Sequence, residues 1–268
     1  MNANLLPPLL LVGCGRMGGA LLAGWRRAGV AAVVAVDPAR PPGIDGEVRY
    51  VAAAEAVPEG FVPAAVVFAI KPQEAEAVLP AYARFAEHAF FLSIMAGRRI
   101  AGLAARLGPG ARIVRAMPNT PAAIGQGVSV ACPGPGVGPS ERALADRLLA
   151  AVGEVAWVEE EALLDPVTAV SGSGPAYVFL LAELLEQEGR RLGLPAELAR
   201  LLARRTVAGA GALLAASQED AAALRAAVTS KGGTTAAALD VLMAEEAWPR
   251  LLREALAAAS RRSRELAG

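Results

Sequence analysis

The sequence predicts an α/β protein: a mostly parallel sheet with helices on both faces, followed by an all-helical domain. Three observations predict it. The first part alternates short apolar runs with helix-like stretches, and strand–helix alternation is the pattern of a parallel sheet covered on both sides. A glycine turn, Gly13-x-Gly15-x-x-Gly18, joins the first apolar run to the first helix-like stretch. After about Glu159 the strand pattern stops, and Ala, Leu, Arg and Glu, all good helix formers, take over.

Strands are expected over residues 9–13, 32–37, 66–70, 90–94, 113–116, 127–131 and 155–158, several bounded by Gly or Pro and most rich in Val, Ile or Phe. Helices are expected between them over 17–28, 74–85 and 140–151, then over 163–192, 196–217, 219–229, 234–248 and on to about 266. Ser217, three residues before Asp220, resembles a capping box, and Leu194-Pro195 and Trp248-Pro249 read as helix breaks. The expected domains are therefore residues 1–159 and 160–268.

Composition narrows the class. With 268 residues, 54% of them apolar, and a formal net charge of zero, the chain is long enough for one or two domains and too apolar for disorder. The charge balance gives no electrostatic reason to expect nucleic acid. Two cysteines, Cys14 and Cys132, make no disulfide framework, and one histidine, His88, argues against a Cys/His zinc site. The opening MNANLLPPLLLVG carries no Lys or Arg before its apolar run and is broken by Pro7-Pro8, which is not the pattern of a signal peptide. No uninterrupted apolar run of about 18 residues is visible, so no membrane span is expected and a cytoplasmic location is the default.

In LLLVGCGRMGGALLAG, the glycines permit a tight turn, close approach of the backbone to a pyrophosphate, and close strand–helix packing; the helix N-terminus faces the phosphates. The context fits: an apolar strand before, a helix after, and a second strand ending in Asp37, 19 residues beyond Gly18. An acid there commonly binds the adenosine ribose hydroxyls. The competing reading is an ordinary glycine turn. A carboxylate disfavours a 2′-phosphate and points to NADH. Arg40 is either a partner for that phosphate, permitting NADPH, or a solvated loop arginine. Cys14 reads as a small filler, since no histidine base lies near it in sequence, and His88 as structural or surface.

Two stretches of the helical part stand out. In Ser171-Gly172-Ser173-Gly174-Pro175, small residues interrupt a long apolar helix, either to let another backbone approach or to make a kink. In AVTSKGGTTAAALDVL, two adjacent glycines and four hydroxyls sit among helix formers, although each glycine weakens a helix by roughly 1 kcal/mol. Together, VTAVSGSGPAYVF and AVTSKGGTT resemble the Δ1-pyrroline-5-carboxylate reductase family. GCGRMGGAL, FAIKPQ, SIMAG and RAMPNTPA, in the same order, extend the resemblance over nearly the whole chain.

The resemblance implies a Rossmann-type domain, a helical substrate-binding and dimerisation domain, and an NAD(P)H-dependent oxidoreductase of the last step of proline biosynthesis. The reaction is reduction of 1-pyrroline-5-carboxylate, a cyclic imine, to L-proline. It implies a homodimer or higher oligomer. Cofactor contacts carry over to Val12, Gly13, Cys14, Gly15, Arg16, Met17 and Gly18 at the pyrophosphate and to Asp37, with Arg40 beside it, at the ribose. Ala69, Ile70, Lys71 and Pro72, with Ile94, Met95 and Ala96, fall at the nicotinamide half. Substrate contacts carry over to Glu161, Ser230, Gly232, Gly233, Thr234 and Thr235, with Thr235 the catalytic candidate. The family often has Pro where this chain has Lys231, and frequently prefers NADPH where Asp37 leaves the preference open. A Gly-Gly pair leading into a helix at Thr234 also exposes backbone N–H groups at a positive helix end, a receptor for a carboxylate. Two other readings are a β-hydroxyacid dehydrogenase using Lys231, which lies in a glycine loop rather than mid-helix, and a nucleotide-sensing protein without chemistry, against which the intact substrate loop argues.

Overall fold

The computed structural model describes residues 5–39 and 48–266. Its first part runs β1 (Leu9–Val12), α1 (Arg16–Ala28), β2 (Val33–Val36), β3 (Val48–Val51), β4 (Ala65–Phe68), α2 (Ala75–Val78), β5 (Phe90–Ser93), α3 (Ile100–Leu107), β6 (Ile113–Met117), β7 (Gly127–Pro133), α4 (Pro139–Ala150), β8 (Gly153–Trp157) and α5 (Leu164–Val167). Five helices follow: α6 (Gly174–Arg191), α7 (Ala196–Ala216), α8 (Ala221–Ala227), α9 (Thr234–Leu242) and α10 (Trp248–Leu266).

The strands form one sheet in the order β3-β2-β1-β4-β5-β6-β7-β8. Pairing is parallel from β3 to β6; β7 then runs antiparallel to β6, and β8 parallel to β7. Successive side chains of a strand point to opposite faces. Leu9 and Leu11 of β1 therefore join Leu21, Leu22 and Trp25 of α1 on one face. Leu10 and Val12 join Phe68, Leu79 and Tyr82 on the other. Both faces are covered, which is why β1, β2, β4 and β5 read as unbroken apolar runs. The Trp25 indole N–H donates to the Leu148 carbonyl at 2.8 Å and so ties α1 to α4.

The sheet has one strand more than the sequence pattern suggests. β3 is only VRYV, with Val48 alone buried, because it is the outer strand of the sheet and needs no continuous apolar run. α3 is likewise absent from the expected helices, although Ile100, Leu103 and Leu107 bury at helical spacing. The expected helix over 74–85 is α-helical only in α2; Pro72–Glu74 and Leu79–Phe85 wind as 3₁₀ turns. Pro80 lacks the N–H that an α ladder needs. The helix expected to run to 248 stops at Leu242. Ser217 is not the cap of the helix after it: Asp220 is, accepting the Ala223 N–H at 2.8 Å, while Ser217 Oγ accepts from Glu219 N–H.

By contacts the chain divides into Met1–Gly172 with Ala259–Gly268, and Ser173–Ala258. The first unit thus extends past the expected boundary near Glu159 and includes the end of α10. Its helical path passes through a π turn over Thr168–Gly172. There Thr168 Oγ1 and Ser171 Oγ donate back to the carbonyls of Leu164 and Val167. A Cβ on Gly172 would lie 2.5 Å from Met117 Cε, so a side chain there would displace the flexible end of Met117 at the end of β6. Within the second unit α6 packs on α7, Gly189 lying beside Ala199.

Candidate active site

The strand order reverses between β1 and β4, and open α/β sheets bind ligands outside the carboxyl ends of the strands at such a point. A cleft of about 560 Å³ lies there. Of the expected cofactor residues, Val12, Gly13, Gly15, Asp37, Ala69, Ile70 and Lys71 line it.

The glycine loop is built from three separate constraints. Gly13 has φ +88°, and a Cβ on it would lie 2.8 Å from the Ala69 backbone, so both conformation and contact exclude a side chain. A Cβ on Gly18 would lie 2.2 Å from the Gly13 carbonyl oxygen; its absence lets α1 start against β1. Gly15 differs. Its φ of −69° suits any residue, and a Cβ would meet no protein atom within 4 Å. Nothing inside the chain demands glycine there, yet it begins α1 with no side chain capping the helix. Unpaired N–H groups facing open space at a helix start fit a phosphate.

Asp37 is braced from both sides. Its Oδ2 accepts the Cys14 N–H at 2.6 Å and its Oδ1 the Ala39 N–H at 2.9 Å. The carboxylate therefore holds the glycine loop and lines the cleft at the end of β2. Arg40 lies outside the described residues. Cys14 is buried, with its thiol 3.7 Å from the Tyr50 hydroxyl. Burial pushes the thiol pKa up; the Tyr50 contact opposes this, and Asp37 adds to it. A neutral buried thiol is a filler, as expected, and no nucleophile. Arg16, Met17 and Gly18 form the first turn of α1, and Pro72 opens the 3₁₀ turn after Lys71.

The cleft continues over residues that no motif marks: Ala52, Ala53, Ala54 and Glu55 after β3, and Ala77, Val78, Ala81 and Tyr82. The spacing of the last four is that of one helical face. Tyr82 is buried, and burial, with Glu55 adding to it, pushes its hydroxyl up to about 12, so it stays protonated at neutral pH.

Ile94, Met95 and Ala96 follow β5, next to β4 in the sheet. Glu161 lies in the same unit. Its Oε1 accepts the Ile100 N–H at 2.8 Å and pairs with the buried Arg115 guanidinium at 2.9 Å, so it anchors the start of α3. The remaining residues expected to meet substrate belong to the second unit. Gly232 turns with φ +70°, and Gly233 starts α9 with no side chain capping it. Ser230 and Thr234 are exposed and Thr235 half-buried, whereas the Thr229 hydroxyl is used internally, donating to the Arg225 carbonyl at 2.6 Å.

Fold and cleft together define a dinucleotide-binding protein of the doubly wound α/β class. A family model described as pyrroline-5-carboxylate reductase dimerisation matches residues 161–266, and one described as NADP oxidoreductase, coenzyme F420-dependent, matches residues 9–97. The chain is 40% identical to a pyrroline-5-carboxylate reductase of Pseudomonas aeruginosa over 269 residues, 97% of either chain. It is similar in structure to the Coxiella burnetii pyrroline-5-carboxylate reductase (TM-score 0.86, 30% identity, covering 97% of this chain and 98% of that one). It is also similar to a Plasmodium falciparum pyrroline carboxylate reductase with NADP bound (TM-score 0.85, 27% identity, covering 97% and 98%). The chain belongs to the pyrroline-5-carboxylate reductase family.

Two outcomes are expected. Gly15→Ala leaves the melting temperature unchanged, because its methyl meets no protein atom, but raises the Kd for NAD(P)H about tenfold or more, which titration of nucleotide fluorescence measures. An unchanged Kd means that no phosphate approaches Gly15. Asp37→Ser raises kcat/KM for NADPH relative to NADH, since a 2′-phosphate no longer meets a carboxylate; a fixed ratio means that Asp37 does not face the ribose.

Proposed function

We propose a division of labour between the two units for pyrroline-5-carboxylate reduction, the NAD(P)H-dependent conversion of a cyclic imine to L-proline that membership of the family assigns to this chain. The observation that carries the proposal is the glycine-initiated N-terminus of α9, which follows the turn at Gly232 (φ +70°) and is capped by no side chain. In this reading the first unit binds the cofactor at the glycine loop, Asp37 and residues 69–72 and 94–96. The second binds the substrate carboxylate on the N–H groups of Gly233, Thr234 and Thr235, with the Ser230 and Thr234 hydroxyls as further donors. Glu161 contributes a substrate contact while its Oε1 holds α3.

When bound, the reduced nicotinamide supplies the hydride that C5 of the imine takes up. The protein's work is to bind, orient and keep the ring nitrogen hydrogen-bonded. The imine is basic and arrives protonated, so no strong protein acid is needed, in keeping with a site assembled without histidine. Thr235 Oγ1 accepts from the N–H of the protonated imine and, once the C=N bond is reduced, can donate to the nitrogen lone pair of proline. That contact aims C5 at the cofactor. The reaction takes a cytoplasmic substrate and cofactor in this reading.

The apolar surface of the second unit supports assembly. Phe179 is 67% exposed, Leu201 56% and Leu213 57%. The helical stretch Glu161–Arg191 is long and apolar enough to cross a membrane, contrary to the expectation of no such run; only 6% of its apolar window is buried. We assign this surface to a second copy of the chain. The matched family model describes dimerisation over this segment, Pro166 and the π turn interrupt it, and Gly209 and Gly211 leave open space on α7 for a close helix.

Sedimentation of the full-length protein is expected to show a dimer or a multiple of it at micromolar concentration; a monomer overturns the assignment of the apolar face. Thr235→Ala is expected to lower kcat for 1-pyrroline-5-carboxylate about tenfold to a hundredfold, as a hydrogen bond to a charged group is worth about 1.5–3 kcal/mol. Thr235→Ser retains most activity. An alanine variant with lowered melting temperature and intact kcat restricts Thr235 to stabilising α9.

A further inference from the structure

The loop between β5 and α3, residues 94–99, is held from several sides within the first unit. Arg98 Nε donates to the Pro72 carbonyl at 2.8 Å and so joins this loop to the one after β4. Glu161 takes the Ile100 N–H at the loop's far end. The other two ties lead to the end of α10. Arg99 pairs with Asp165 at 3.7 Å, and the buried Asp165 Oδ1 accepts the hydroxyl of Ser263 at 2.7 Å. Gly97 has φ +72°, and a Cβ on it would lie 2.8 Å from Leu266 Cβ, so the last turn of α10 rests against the loop's turn.

Ser263 and Asp165 are 4% and 3% exposed. A serine on a helix that is otherwise exposed along most of its length has no packing reason to be buried. A buried carboxylate needs a donor and a countercharge, and here one oxygen accepts the Ser263 hydroxyl while the other stands 3.7 Å from the guanidinium of Arg99 at the loop. The carboxylate is therefore a shared anchor: it fixes the loop through Arg99 and the helix end through Ser263. Releasing the hydroxyl lets the carboxylate shift toward Arg99 or solvent, and the loop with it.

We infer that Ser263, through Asp165, is a positioning residue for the nicotinamide-facing loop, so that the last turns of α10 tune cofactor geometry without touching the cofactor. The inference rests on the reading that residues 94–96 face the nicotinamide half. The effect is expected to be selective for one half of the dinucleotide: Arg98 ties the loop to Pro72, next to the cleft-lining Lys71, whereas among the described residues no hydrogen bond or ion pair joins Ser263 to Asp37 or the glycine loop.

The test compares, in the full-length protein, the Kd of the reduced dinucleotide with that of the same nucleotide lacking nicotinamide (ADP-ribose for NADH, its 2′-phosphate for NADPH). Ser263→Ala is expected to weaken NAD(P)H about threefold to tenfold and leave the truncated nucleotide within twofold of wild type. Equal weakening of both ligands signals general damage and overturns the inference, as does no change in either. Ala96→Trp serves as the companion variant. If it blocks NAD(P)H and spares the truncated nucleotide, the loop faces the nicotinamide, and a silent Ser263→Ala then refutes the role of Ser263 alone. If it affects neither ligand, the placement of the loop and the inference fall together.

Discussion

The Gly13 backbone lies against the Ala69 backbone, and the rest of the cofactor cleft depends on that contact. β1 and β4 are neighbours where the strand order reverses, so the chain must leave β1 sharply while staying in touch with the residue after β4. Only a residue without Cβ and with positive φ meets both demands. The turn then delivers α1 with its first N–H groups over the strand ends, and Gly18 lets that helix start directly on the Gly13 carbonyl. Asp37 completes the frame by taking the Cys14 N–H, which uses one loop donor to lock the loop to the second strand.

The same device recurs in the second unit. α1 and α9 both start on a glycine, Gly15 and Gly233, and neither is capped by a side chain. α8, of similar composition, is capped by Asp220. Side-chain caps are worth about 0.5–2 kcal/mol to a helix. α3, α6 and α7 also lack such a cap, and α4 also has a glycine at the capping position, but there Glu141 takes the Gly138 N–H; what sets α1 and α9 apart is a capping glycine with no side chain bonded to it. Such a start suits an anion, whether a diphosphate or a small carboxylate.

Charge is used sparingly inside the first unit. Around the β5–α3 loop stand the pair of buried Arg115 with Glu161, buried Asp165 with Ser263 and the partly exposed Arg99, and buried Ser93, whose Oγ accepts the Met95 N–H at 3.4 Å. Buried ion pairs contribute little net stability compared with apolar packing, but they hold geometry, and removing one partner is costly. Their concentration at one loop beside the cleft agrees with a role in placing backbone.

Much of the function was legible in short stretches. Gly13-x-Gly15-x-x-Gly18 between an apolar run and a helix, Asp37 at the end of the next strand, and the Gly232-Gly233 pair before Thr234 are local patterns, and local sterics and hydrogen bonding suffice to read them. Local spacing likewise determined the alternation of strands and helices and the all-helical end. Long-range pairing decided the rest. VRYV becomes a strand only because β2 offers an edge, and Ala52–Glu55 enter the cleft only because β3 then lies beyond Asp37. Ser217 lost the cap to Asp220 on backbone geometry that spacing does not carry. The link of Ser263 to Asp165 joins residues 98 positions apart, and no periodicity foretells such a contact. The sequence by itself thus determined the family and the glycine-rich turns, because each turn is a local conformational demand; tertiary structure alone decided what braces them, because a buried hydrogen bond is specified by the packing of the whole unit.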